Sequence, residues 1–203
     1  MAVLGLAAAE EPKKLSFESA KVGELPKGWT AAKTGDGAGS VWKVVEDKDA
    51  PGGKALAQTS GEGSGSFFNL CVASDTNYKD VDISVSFKAM AGKEDQGGGL
   101  VWRYKDANNY YIARMNPLED NFRVYKVTAG KRSAPFKSAK VEAMPGKYNT
   151  VRVVHQGDHI QCYFNGKLYL EATDDTFKDA GKIGLWSKAD AQTHFADFKI
   201  AGK

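Results

Sequence analysis

The stretch NTVRVVHQGDHIQCYFNGKLYLEATD, residues 149–174, leaves little freedom in how it can fold. Its apolar residues recur at every second position, a period that suits the two faces of a strand and not a helix. Two turn signals interrupt it, Gly157-Asp158 and Asn165-Gly166. Asn-Gly accepts positive φ at both positions and predicts a two-residue hairpin, so the segment reads as an antiparallel meander. The alternation groups Cys162 with Ile160 and Phe164, which makes Cys162 a buried small hydrophobe.

The same period runs through the chain. In VDISVSF, Val81, Ile83, Val85 and Phe87 point one way and Asp82, Ser84 and Ser86 the other. Strand-like runs fall at 41–46, 55–59, 66–73, 81–91, 97–104, 109–116, 121–128, 148–155, 159–164, 167–172, 181–187 and 194–200, separated by Gly, Pro, Asn and Asp. No convincing amphipathic helix or internal repeat appears. The expectation is all-β, a two-sheet antiparallel sandwich over one core, which 203 residues can supply. Residues 10–28 read as an irregular lead-in and 29–203 as a single domain.

Met1–Ala9 is small and apolar, and Ala7-Ala8-Ala9 before Glu10-Glu11-Pro12 has the look of a signal-peptide cleavage region without its basic start. Residues 1–9 therefore read as a truncated leader, and a periplasmic or extracellular location is expected. No later stretch approaches the ~20 apolar residues of a membrane span. The formal charge is +3, from 28 basic and 25 acidic residues that are interspersed, which argues against a nucleic-acid partner. Cys71 and Cys162 lack a CxxC spacing, and Asp47, Asp49, Asp75, Asp80 and Asp82 are scattered, so no metal or other cofactor is expected. No G-x-S-x-G elbow is present.

The segments GGGLVWRYKDANNYYIARMNPLEDNFRVYKVTAGKR and GKYNTVRVV through GKIGLWSKADAQTHFADFKI resemble, in their order, the 3-keto-disaccharide hydrolase domain family, within the concanavalin A-like lectin/glucanase, laminin G-like jelly-roll superfamily. The resemblance covers roughly residues 29–200. It implies a jelly roll with one concave sheet on which relatives bind carbohydrate, and it implies hydrolysis of oxidised sugars. The E-x-D-x-E strand of family 16 glucanases has no counterpart; Glu46, Asp47 and Asp49 come nearest, with the wrong spacing, so no pair of carboxyls for the retaining mechanism is identifiable.

Alternation then selects candidate site residues. In GLVWRYK, Arg103 shares a face with Gly99 and Val101; in YYIARMN, Arg114 shares one with Tyr110, Ile112 and Asn116; in FRVYKV, Arg123 goes with Tyr125 and Val127. If these strands are neighbours, Arg103, Arg114, Arg123 and Tyr125 converge, either as donors to sugar oxygens or as a solvated face paired with Glu119, Asp120 or Asp106. Near the end, Ile183 and Leu185 read as core. Trp186 then faces outward, as a stacking platform for a pyranose or as cover for an edge. Lys188 follows it in parity, Asp190 occupies the next loop, and His194 points away from the core. The leading expectation is an exported carbohydrate-binding sandwich with Arg103, Arg114, Arg123, Tyr125, Trp186 and Lys188 as contacts. The alternatives are a hydrolase of 3-keto-glycosides with Asp190 or His194 as acid/base, and a structural or adhesive protein-interaction module.

Overall fold

The structure is a computed structural model that describes residues 12–144 and 146–201. The expected leader, 1–9, lies outside the described residues. In chain order the strands are β1 (Lys13–Leu15), β2 (Trp29–Thr34), β3 (Trp42–Glu46), β4 (Lys54–Gln58), β5 (Phe68–Tyr78), β6 (Val81–Ala91), β7 (Gly98–Asp106) and β8 (Asn109–Asn116). They continue with β9 (Asn121–Thr128), β10 (Lys131–Arg132), β11 (Lys137–Lys140), β12 (Asn149–Gln156), β13 (His159–Phe164), β14 (Lys167–Thr173), β15 (Gly181–Lys188) and β16 (Gln192–Ile200). The described residues contain no α-helix, only one 3-10 turn at Pro51–Gly53, so none is long and apolar enough to cross a membrane.

Two antiparallel sheets form. The first runs β14-β13-β12-β6-β16-β4-β3, with β1 also paired to β16; the second runs β10-β9-β8-β7-β15-β5-β2, with β11 also paired to β9. Sequence neighbours such as β6 and β7 lie in different sheets, which gives the jelly-roll crossing. The lead-in expected to be irregular holds β1, registered Lys14 to Lys199, and Phe17 enters the core. Its KKL run is too short for periodicity to reveal, and β2 was likewise concealed in a small-residue stretch, WTAAKT.

The core fills the space between the sheets as alternation dictates. Val81, Ile83, Val85 and Phe87 of the first sheet meet Leu100, Trp102, Tyr111, Ala113, Leu185 and Ile183 of the second, all buried. Asn165 and Gly166 both take positive φ, 47° and 81°, as the hairpin between β13 and β14 requires. Cys71 and Cys162 are buried free thiols of this core, and burial pushes both pKa values up.

One histidine lies inside the core. His155 is fully buried, and the Trp102 indole Nε1 donates to its Nδ1 at 2.8 Å. The proton of the neutral ring is therefore on Nε2, and the ring packs by that of Tyr111, 5.4 Å between centroids. Burial, and then the Arg103 charge, bring its pKa down to about 4. The unfolded chain takes up this proton near the ordinary value of about 6.5, so the stabilisation is complete above that pH and is lost as pH falls towards 4. His155 is expected to contribute about 2–3 kcal/mol to the difference between urea titrations at pH 7.5 and 4.5. His155→Gln, which does not titrate but offers the indole an acceptor, is expected to remove that contribution.

Candidate functional site

The second sheet is strongly curled. Its edge strand β2 reaches the β7–β8 hairpin across β5 and β15: Thr34 Oγ1 is 2.6 Å from the Tyr110 hydroxyl and also donates to the Ala107 carbonyl. The concave outer face is consequently filled by its own side chains. Phe68, Leu70, Val101, Tyr110, Ile112, Val127 and Trp186 form a second buried cluster there.

At one end of this face the floor becomes polar. Gly99 pairs with Trp186 on one side and Arg114 on the other, and a Cβ on Gly99 would lie 2.1 Å from the Ala113 carbonyl oxygen, so only glycine allows the strands this approach. Arg114, 2% exposed, donates to Asn121 Oδ1 at 2.6 Å, to Glu119 Oε2 at 3.0 Å and to the Tyr125 hydroxyl at 3.3 Å. Arg123 lies 3.7 Å from the same Glu119 oxygen and donates to Ser138. Burial tends to raise the Glu119 pKa, but Asn121 and Arg114 outweigh it and hold the carboxylate below its ordinary value.

Beside Arg114 stands Asp95, 1% exposed. One oxygen accepts the Gly97 amide at 2.6 Å; the other has no hydrogen-bond partner and faces the Lys188 ammonium at 3.5 Å. Burial raises the Asp95 pKa, and the Gly97 amide and the Arg114 and Lys188 charges offset only part of that. Asp190 holds this carboxylate in place: its own carboxylate accepts the backbone amides of Lys93, Glu94 and Asp95. Over the face lies Arg132, its guanidinium 4.6 Å from the Tyr125 ring centroid and 5.4 Å from that of Phe68. Arg114 Nε, Asn116 Nδ2 and Arg132 Nη1 are buried donors without a partner.

Of the residues expected from the sequence, Arg114, Arg123, Tyr125, Trp186 and Lys188 do share this face. Arg103 does not. It takes φ 44° at a bulge in β7, which shifts the alternation so that Tyr104 packs on the outer cluster and Arg103 turns to the sandwich's far end. There it donates to the carbonyls of Lys79, Phe177 and Gly157, each at 2.7 Å. Trp186 faces outward as parity requires but is 0% exposed, packed 5.5 Å from Phe68, so it offers no open platform. Asp190 is occupied by three amides, a positioning role, and it is not brought to His194.

His194 lies on the outer face of the first sheet, its Nδ1 2.7 Å from Asp47 Oδ2. Tyr148 donates to that oxygen at 2.9 Å, and Lys88 pairs with Asp47 at 2.7 Å and Asp49 at 3.1 Å. Burial works to raise the Asp47 pKa, but His194 and Lys88 together hold it far below the ordinary range. This network pins the loop after β3 across β16 and β6. Sequence reasoning missed Asp95 and Arg132. The GGG run at 97–99 was the available signal for the first, and the Ala129-Gly130 turn for the second.

A cavity of about 480 Å³ opens near the same end, lined by Gln96, Pro117, Asp120, Glu142, Met144 and Asn149 among others. It shares the β6–β7 and β8–β9 loops with the arginine cluster, yet none of Arg114, Asp95, Tyr125 or Trp186 lines it. Among the described residues no group of three or more His, Cys, Asp or Glu is placed to hold a metal ion.

Comparison with known proteins adds the following. The 3-keto-alpha-glucoside-1,2-lyase-like domain matches residues 17–201. No curated protein matches the sequence. Among solved structures, the family 66 carbohydrate-binding module of Bacillus subtilis superposes with a TM-score of 0.65 at 21% identity, covering 84% of this chain and 93% of that one. A Parabacteroides distasonis protein provisionally described as a glycosyl hydrolase gives 0.58 at 17%, covering 96% and 100%. A mixed-linkage-glucan family 16 glycoside hydrolase of Bacteroides ovatus, in complex with a product, gives 0.60 at 13%, covering 87% and 96%. At these identities the likeness is one of fold.

The burial of Trp186 separates two outcomes. A surface platform can be truncated with little effect on stability, whereas Trp186→Ala here empties a packed site. Thermal and denaturant unfolding are expected to show a loss of about 3–5 kcal/mol.

Proposed function

Because the chain belongs to the 3-keto-alpha-glucoside-1,2-lyase-like domain family, a family of carbohydrate-binding and carbohydrate-processing β-sandwiches, we propose that it recognises a sugar on the concave face of its second sheet. The observation that carries this reading is the set of unpartnered buried donors on that face: Arg114 Nε, Asn116 Nδ2 and Arg132 Nη1. Buried polar groups are rarely left unpaired, because each costs the free energy of its lost hydration. Grouped beside Glu119, Tyr125 and Lys188, they match the hydroxyl and carbonyl oxygens of a sugar. The binding contacts are then Arg114, Arg123, Tyr125 and Lys188, with Asp95, Glu119 and Arg132 added. An exported location suits this role.

A second reading rests on Asp95, a buried carboxylate with one free oxygen and a raised pKa, beside Arg114 and Lys188. A 3-keto-glycoside has an acidic proton at C2. Asp95 Oδ2 takes that proton, the released electron pair forms the C1=C2 bond, and the C1–O bond to the aglycone breaks. Lys188 supplies the proton that the departing oxygen takes up. Negative charge developing on the ketone oxygen is met by the Arg114 guanidinium. Addition of water across C1=C2 then gives net hydrolysis.

Calorimetric titration with a panel of neutral, acidic and 3-keto glycosides tests the first reading: binding is expected, with Arg114→Gln weakening it at least tenfold, and a panel with no binder would sink it. For the second, Asp95→Asn is expected to lower kcat on a 3-keto-glycoside by two orders of magnitude or more while leaving KM within a few fold. Equal turnover by the variant removes Asp95 from the chemistry.

A further inference from the structure

The charges on the concave face do not balance. Arg114, Arg123 and Lys188 have carboxylate partners in Glu119, Glu94 and Asp95. Glu119 is already divided between two arginines and Asn121. Arg132 is left over: among the described residues it has no carboxylate at ion-pair distance, and its Nη1 is buried without an acceptor. Its guanidinium rests on Tyr125 and Phe68. Aromatic faces attract a cation, but they do not replace the hydrogen bonds a guanidinium loses with its water. Two further orphans of this cluster are donors, Arg114 Nε and Asn116 Nδ2; the acceptors without a hydrogen bond are Asp95 Oδ2, which meets Lys188, and Asn69 Oδ1 on β5. A neutral sugar hydroxyl must place its own proton as well as accept one. A carboxylate only accepts, and its two oxygens match the planar fork of an arginine.

The position of Arg132 follows from the hairpin that carries it. Ala129 and Gly130 take positive φ, 48° and 76°, and this two-residue turn registers Arg132 against Val127, whose side chain belongs to the concave cluster. Arg132 is thus held over the face from the sheet's edge.

Taking the sugar-binding reading as its basis, we propose that the site selects an acidic sugar, a hexuronate, whose carboxylate is read by Arg132 while Arg114, Asn116 and Tyr125 take the ring oxygens. The test titrates the full chain with oligogalacturonides, with the same oligomers methyl-esterified, and with sulfated galactan oligomers of equal charge. The acid is expected to bind at least tenfold more tightly than the ester. Arg132→Gln removes that preference, and Arg132→Lys, which keeps the charge without the fork, loses most of it. Circular dichroism and a thermal melt of each variant establish folding; Arg132→Lys stands in if Arg132→Gln does not fold. Equal affinity for acid and ester overturns the proposal, as does a preference that survives in Arg132→Gln, or sulfated oligomers binding as tightly as uronides. If neutral sugars bind and Arg114→Gln abolishes it while acid and ester are equal, only the hexuronate assignment falls. If no sugar of any kind binds, the sugar-binding reading falls with it.

Discussion

The contact that most shapes this molecule is the closure of the second sheet upon itself, Thr34 of β2 against Tyr110 and Ala107 of the β7–β8 hairpin. A flat sheet of this width would expose Phe68, Leu70, Ile112 and Trp186 to water on its outer side. Curled, it buries them and acquires a second apolar cluster beyond the one between the sheets. The hydrophobic gain of that burial also brings Arg114 and Asp95 out of solvent, which is where their interest begins. Charges at such depth are stabilised only by partners, and here the partners are incomplete.

The two outer faces treat their polar residues differently. On the first sheet, Asp47 collects His194, Tyr148 and Lys88, so that its oxygens are saturated and its ionised form is strongly favoured. On the second, one Asp95 oxygen accepts no hydrogen bond and meets only the Lys188 ammonium, and its burial raises its pKa. Both are aspartates in loops beside sheets, yet one serves as a fastener and the other is poised. Asp190 links that poise to the fold, since the three amides it accepts belong to the loop that delivers Asp95.

Much of this could be read from the sequence through alternation alone. The side of the sheet on which Arg114, Arg123, Tyr125, Trp186 and Lys188 lie follows from counting by twos, because the pleat is a local property. Exposure is not local. Trp186 is turned outward and still fully buried, since the curl is closed by residues 73 and 76 positions apart in the chain. Arg103 shows the other limit, where a single bulge inverted the count at a residue whose type gives no warning. His155 shows that parity outweighs position: it flanks the Gly157-Asp158 turn, yet it shares the strand face of Val151 and Val153 and lies buried.

Arg103 also determines where this architecture can vary. By donating to the carbonyls of Lys79, Phe177 and Gly157 it gathers three chain reversals into one knot at a single end of the sandwich. Lengthening any of those turns would pull a carbonyl from a buried cation, so insertions there are penalised together, whatever their composition.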